Sequence, residues 1–440
     1  MTTNAWRQES ETPSLSEVFR TIAVGNGGTS RFRRFLAFIG PGYLVAVGYM
    51  DPGNWATSLA AGSRFGATLL FVVVMASVMA MILQALTARL AIASGTDLAT
   101  LCRRELPQPA PFVLWIIAEI AIVATDMAEV IGTAIGLQLL FGLPLWIGVV
   151  LTALDVFLVL ALERFGFRKL EAFVVAVVLL IAAAFAVQLA IARPDWSAVA
   201  AGLVPTVEVV RNPEMLYLAL GLIGATVMPH NLFLHAGIIQ SRAIGDAEHE
   251  KREAIAFTAI DSTLALSLAL LVNASILILA ASTFHRAGHT GVAELGEAYT
   301  LIAPLLGSDL AAKLFALALI ACGLNSTVTA TLAGQIVMDG FVRLRAPPVV
   351  RRLITRGLAI APAIAVTVWM GDAATARLLV LSQVVLSLAL PFAVGPLVAF
   401  SLNRRLMGVY RASRPLLAVA ILIALTIVAL NVKLIVDAFF

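Results

Sequence analysis

The 440-residue chain is predicted to be an all-α polytopic membrane protein with eleven spans, on three observations. Hydrophobic residues make up 60% of it and charged residues only 13%, and the mean hydropathy is +0.97. Soluble domains carry roughly a quarter of their residues as charges, so the surplus apolar surface here must face lipid. Apolar runs long enough to cross about 30 Å of hydrocarbon recur along the whole sequence. Basic residues alternate between the connections: with the N-terminus cytosolic, 23 of the 30 Lys and Arg fall inside and seven outside. That asymmetry is the one the positive-inside rule requires, and a missed or invented span would scramble it.

In chain order the spans read near 36–62, 67–92, 111–139, 143–163, 170–192, 214–240, 254–282, 309–335, 349–370, 375–400 and 413–436. Residues 1–30 are polar, lack the apolar core of a cleavable signal peptide, and read as a loose cytosolic tail. The longest connections, 193–213 and 283–308, are too short to house a soluble enzyme domain. An odd number of spans puts the C-terminus outside a plasma (inner) membrane. The net charge of +4 is too small to argue for nucleic acid as a partner. Cys102 and Cys322 give neither a metal-binding spacing nor a disulfide framework and read as packed thiols.

Two spans carry a break. The first contains Asp51, Pro52, Gly53 and Asn54 at its middle. An aspartate at that depth costs about 2.5–3.5 kcal/mol on insertion scales unless it is solvated or paired. Pro52 removes a backbone donor and clashes with the preceding turn, and Gly53 adds freedom, so the helix unwinds. Carbonyl oxygens exposed there would suit a bound cation. The sixth span contains Ala225, Met228, Pro229, His230 and Asn231. Laid on the first motif, Pro229 meets Pro52, Asn231 meets Asn54 and Met228 meets Asp51. Interrupted helices at matching places in two halves point to a transporter site near the bilayer midplane. A repeat of five spans must be inverted in the membrane, which implies alternating access. The expected division is therefore a tail (1–30), a first repeat (31–195), an inverted second repeat (196–402) and an added eleventh span (403–440).

Asp51 supplies a hard anionic oxygen, Asn54 a neutral oxygen, the opened backbone one or two carbonyls, and Met228 a thioether. Mg²⁺ and Ca²⁺ prefer all-oxygen shells, whereas a thioether suits softer ions, so the set favours Mn²⁺, Fe²⁺, Co²⁺ or Cd²⁺. In the third span Glu119, Asp126 and Glu129, at spacings of seven and three, fall within a stripe about 80° wide at 100° per residue. Three carboxylates facing lipid would be prohibitive, so the stripe is read as facing an interior path. His230 is read as tuning proton coupling beside the site, and His235 lies five residues on. Asp155, Glu163 and Asp261 are read as membrane-edge or helix-pairing residues.

The motifs Asp51-Pro-Gly-Asn54 and Met228-Pro-His-Asn231 closely resemble those of the NRAMP family of proton-coupled divalent metal transporters. The resemblance covers nearly the whole chain. It extends to Ala124-Thr-Asp-Met-Ala-Glu129 and to Asn325-Ser-Thr-Val-Thr-Ala-Thr-Leu-Ala-Gly-Gln335. In the latter, Ala330-Thr-Leu-Ala-Gly334 stands where the family usually has Gly-Thr-Tyr-Ala-Gly. The resemblance, strongest to the bacterial manganese transporters, implies a leucine-transporter-type (LeuT) fold and proton-coupled uptake of manganese or iron. It implies metal contacts from Asp51, Asn54, Met228 and the Ala225 carbonyl, with Gln383 joining in some conformations. It also implies a proton route through Asp126 and Glu129, with Arg351 and Arg352 as salt-bridge partners.

Three other classes fit less well. A carrier of organic substrates on the same fold would receive a substrate carboxylate at half-helix N-termini, and Asp51 would repel that anion. A channel would need filter-like repeats, which are absent. An enzyme would need a nucleophile or zinc motif such as GxSxG or HExxH, and none occurs. Metal and proton are expected as cargo rather than cofactors. The lipid bilayer is the expected setting, a monomer suffices, and the oligomeric state is left open.

Overall fold

The structure is a computed structural model. It describes residues 13–25, 30–154, 166–342, 350, 354, 357–358, 360–365 and 372–439. Among these, the architecture is a bundle of fourteen main helices and half-helices, several of them long and apolar. In chain order they are α1 (Arg31–Phe38), α2 (Pro41–Gly48), α3 (Pro52–Phe65), α4 (Leu70–Ser94), α5 (Ala110–Phe141), α6 (Leu145–Leu151), α7 (Phe167–Ala192), α8 (Pro213–Thr226), α9 (Pro229–Ile238), α10 (Glu248–Thr283), α11 (Leu295–Leu306), α12 (Asp309–Val342), α13 (Asp372–Leu402) and α14 (Arg414–Phe439). Among the described residues, eight segments are long and apolar enough to cross a membrane. The expected fourth span falls partly, and the ninth mostly, outside the described residues, together with Asp155, Glu163, Arg351 and Arg352.

Burial sorts the helices into centre and periphery. The span containing α8 and α9 is 94% buried inside the protein, whereas that of α14 is 22% buried and turns most of its surface outward. A helix apolar all round and enclosed by others is a core element even in a membrane protein. α12 lies along α5 and against α9, and α10 packs on α2, α3 and α4 around the first break. Trp55 on α3 anchors the centre, with edge contacts to Phe185 on α7 (4.8 Å) and Phe315 on α12 (5.2 Å). α8 starts where the sequence provides a start: Pro213 occupies its first turn, and Asn212 accepts from the Glu214 and Met215 amides at 2.9 and 3.1 Å.

The tail is partly docked, contrary to its reading as loose. Ile22–Ala23 pairs in parallel with Arg242–Ala243, just past α9. The Arg20 amide donates to the Gln240 carbonyl at 2.9 Å, and Ser14 donates to Asp97 at 2.7 Å. Leu15, Val18 and Ile22 supply the apolar contacts that hold the segment down.

Beside this strap lies a buried ion pair. The Arg242 guanidinium donates to both oxygens of Glu171, at 2.5 and 3.1 Å, with neither side chain more than 2% exposed. Arg242 also donates to the Ala37 and Ile39 carbonyls, and Asp261 accepts from the Gly40 and Gly42 amides at 3.2 and 2.7 Å. The start of α2 is thus held by α7, α10 and the chain after α9, which makes Asp261 a helix-capping residue. Glu171→Ala should lower stability by about 3–5 kcal/mol by stranding a buried guanidinium. Thermal unfolding of the purified variant in detergent checks this, and the double variant Glu171→Leu, Arg242→Met should recover most of the loss.

Candidate functional site

Both interrupted spans are broken where their prolines stand. α2 stops at Gly48 and α3 begins at Pro52; α8 stops at Thr226 and α9 begins at Pro229. In an unbroken helix the amide of residue 52 would bond to the carbonyl of Gly48, and that of residue 229 to the carbonyl of Ala225. Proline has no such hydrogen. Asp51 and Met228 occupy the same position, the extended N-cap residue of the second half-helix, with φ,ψ of −62°, 165° and −77°, 127°. Asp51 uses one carboxylate oxygen as a cap: its Oδ1 accepts from the Asn54 amide at 2.7 Å. Its Oδ2 is buried and has no hydrogen-bond partner among the described residues.

The other candidate residues gather there. Asn54, Ala225, Met228 and Gln383 are all buried. The Met228 sulfur accepts from Asn231 Nδ2 at 3.5 Å, and its side chain packs with Ala121, Leu386 and Ala389 rather than facing outward. Asn231 lies against Gly48, so it joins the second break to the first. Gln383 brings α13 in: a Cβ on Gly53 would overlap its Nε2. On the other side a Cβ on Gly132 would overlap the Pro52 ring. Close approach thus demands glycine at 53 and 132. The Oδ1 of Asn231 and the Oε1 of Gln383 are buried acceptors without donors among the described residues. Unsatisfied buried acceptors beside the break that carries Asp51 are costly in a dry interior and suit a cation. No three His, Cys, Asp or Glu side chains come together among the described residues, so any cation here would meet a mixed donor set.

The first break differs from expectation in its carbonyls. The Tyr49 carbonyl accepts from Asn273 Nδ2 at 2.7 Å, and the Met50 carbonyl from Trp55 Nε1 at 3.0 Å and from the Cys322 thiol. Asn54 Nδ2 reaches the Gly48 carbonyl at 3.4 Å. Side chains brought from α3, α10 and α12 therefore take up the oxygens that unwinding exposes.

The acidic stripe on α5 divides. Asp126 and Glu129 are buried, and Glu129 Oε1 accepts from Ser326 on α12 at 2.5 Å. Glu119 lies two turns away, half-buried, accepting from Trp115 Nε1 at 3.0 Å. The two histidines also differ. Neither ring nitrogen of buried His230 has a hydrogen-bond partner among the described residues. His235 Nδ1 pairs with Gln84 Oε1 at 2.9 Å, and Gln84 in turn donates to the Tyr49 hydroxyl at 2.8 Å. That chain ties α9 to α2 through α4.

A family model described as natural resistance-associated macrophage protein-like (Nramp) matches residues 42–437, nearly the whole chain. The chain belongs to the Nramp family. Among Nramp relatives, the divalent metal cation transporter MntH of Agrobacterium fabrum is 61% identical over 432 residues, covering 98% of this chain and 94% of its own. The Eremococcus coleocola manganese transporter superposes with a TM-score of 0.87 at 41% identity, over 95% of this chain and 90% of that one. Mhp1, a nucleobase-cation-symport-1 family transporter, shares the fold alone, with a TM-score of 0.61 at 17% identity over 90% and 91% of the two chains. The Nramp chain is thus a helical membrane protein of the LeuT-type architecture, and these relatives are named as transporters, not enzymes. Sequence reading of this Nramp chain took Cys322 for a packed thiol, whereas its Sγ donates to the Met50 carbonyl, and gave no role to Asn231. The correspondence of Asn231 with Asn54 across the two motifs was the signal for it, and its bond to the Met228 sulfur gives it a place in the site.

Proposed function

We propose that the chain is a proton-coupled symporter that imports divalent transition-metal ions, Mn²⁺ or Fe²⁺ foremost and Cd²⁺ and Co²⁺ with them, by alternating access. The observation that carries the reading is the Asp51 carboxylate, wholly buried at a helix break with one oxygen unpartnered among the described residues. The ion would bind between the broken centres of the first and sixth spans. Asp51 supplies the charge, Asn54 and the Ala225 carbonyl neutral oxygens, and Met228 a thioether that Mg²⁺ and Ca²⁺ do not reward. Gln383, with its unused acceptor, joins as the surrounding helices shift. The transport of divalent metal and of manganese, for which the MntH and Eremococcus relatives are named, supports this assignment.

Coupling follows from charge. An arriving divalent ion favours the carboxylate over the carboxylic acid at Asp51 and so releases a proton. The buried Asp126 and Glu129 on α5 would carry that proton away, since Gly132 brings α5 against Pro52 next to Asp51. His230 and His235 flank the site as further proton-exchanging groups, and Glu119 would mark the end of the route nearer the surface. Arg351 and Arg352 would be ion-pair partners on that route, in the plasma membrane with the N-terminus cytoplasmic.

Reconstituted protein should take up Mn²⁺, Fe²⁺ and Cd²⁺ saturably, faster with an inward proton gradient, and leave Mg²⁺ and Ca²⁺ largely outside. Uptake indifferent to the gradient would refute the coupling. Asp126→Asn and Glu129→Gln should each cut metal-dependent proton entry at least tenfold, a typical yield of one positioned proton-transfer group being about 10²–10⁴. A pH-sensitive dye trapped in the vesicles reads this, and proton entry as metal-dependent as in the parent would dismiss the route.

A further inference from the structure

We infer that Cys322 is a specificity-determining residue for the ion carried at Asp51, because its thiol keeps the Met50 carbonyl oxygen out of the ion's shell. The inference rests on the function proposed above. Cys322 sits on α12, fully buried, and donates to the Met50 carbonyl, which belongs to the peptide immediately preceding Asp51. Trp55 Nε1 donates to the same oxygen at 3.0 Å. A peptide carbonyl has two lone pairs, and these two donors occupy both. The neighbouring Tyr49 carbonyl is held by Asn273.

The consequence is an asymmetry between the breaks. In the second, Pro229 leaves the Ala225 carbonyl without its helical donor. In the first, the oxygens nearest the carboxylate already have donors. Carbonyl oxygen is a hard ligand, and Ca²⁺ gathers six to eight oxygens in a flexible shell. Each carbonyl withheld therefore weakens the site for Ca²⁺ more than for an ion that profits from the Met228 sulfur. The donor at position 322 sets how many hard oxygens the first break can offer. Trp55 Nε1 carries one hydrogen, already given to this oxygen, so it supplies no second bond once the thiol is gone.

The test compares the parent, Cys322→Ser and Cys322→Ala in proteoliposomes, measuring the KM for Mn²⁺ and inhibition of Mn²⁺ uptake by Ca²⁺. Serine keeps a donor of similar size and alanine has none. Cys322→Ala should lower the preference for Mn²⁺ over Ca²⁺ about fivefold, the fold-change that one net hydrogen bond represents, while Cys322→Ser stays at the parent ratio. Trp55→Phe, which removes the other donor and keeps an aromatic ring, should shift the ratio in the same direction and serves if Cys322→Ala does not reconstitute. A ratio in Cys322→Ala within twofold of the parent would overturn the inference, as would equal shifts in the serine and alanine variants. A parent that shows no saturable Mn²⁺ uptake would instead remove the proposed function, and this inference with it.

Discussion

Asp51→Ala is expected to reduce Mn²⁺ uptake to the background of empty vesicles. The residue supplies the negative charge placed at the junction of the two breaks, and its Oδ2 has no other partner among the described residues. Taking one member from a buried charge pair costs about 3–5 kcal/mol, a loss of roughly a hundredfold or more in affinity. The alanine variant loses two things at once, however, because Asp51 Oδ1 also caps α3 through the Asn54 amide. Asp51→Asn separates them. Its amide oxygen can still accept from Asn54, since asparagine is as good a cap as aspartate, but the charge is gone. Calorimetry on the purified Asp51→Asn protein should show Mn²⁺ binding weakened as far as in the alanine variant, with thermal stability near that of the parent. Parent-like affinity in Asp51→Asn would mean that the carboxylate is a helix cap and no more.

The second large effect is expected at Met228. Met228→Ala should weaken Cd²⁺ binding by about tenfold or more, at least the cost of losing a ligand's outer-shell partner, and bring the site's affinities for Mn²⁺, Mg²⁺ and Ca²⁺ closer together. Softness is the reason: removing the thioether leaves a set of oxygens, which the hard ions accept readily. Met228 also packs with Ala121, Leu386 and Ala389, so truncation opens a cavity, which in protein cores costs about 2–5 kcal/mol. Met228→Leu is the control, because it conserves volume and loses only the sulfur. Competition of each ion against Mn²⁺ uptake reads the outcome. A leucine variant that excludes Ca²⁺ as the parent does would show that the sulfur packs and does not select.

These two expectations were open to a reader of the sequence, for a local reason. An Asp-Pro-Gly run inside an apolar span states its own cost, since the carboxylate and the missing amide hydrogen are properties of adjacent residues. Met228-Pro229 repeats the pattern five spans later. The structure places both residues at N-cap positions of second half-helices, as the alignment of the motifs required. Asp261 was less legible. Its partners are the amides of Gly40 and Gly42, more than two hundred residues earlier, and nothing near position 261 names them. The docking of residues 14–23 was missed for a similar reason. Their polar composition resembles that of a free tail, and the contacts that hold them lie past α9 and at Asp97.

What the sequence determined by itself was the medium, the helical class and the location of the two breaks. Hydropathy, charge alternation and proline act over a few residues, so they can be read in order along the chain. What only the tertiary structure decided was which atoms the breaks leave free. Asn273 reaches Tyr49 across 224 residues and Cys322 reaches Met50 across 272. Those bonds exist because α10 and α12 pack around the first break, and packing at that range is set by the whole bundle.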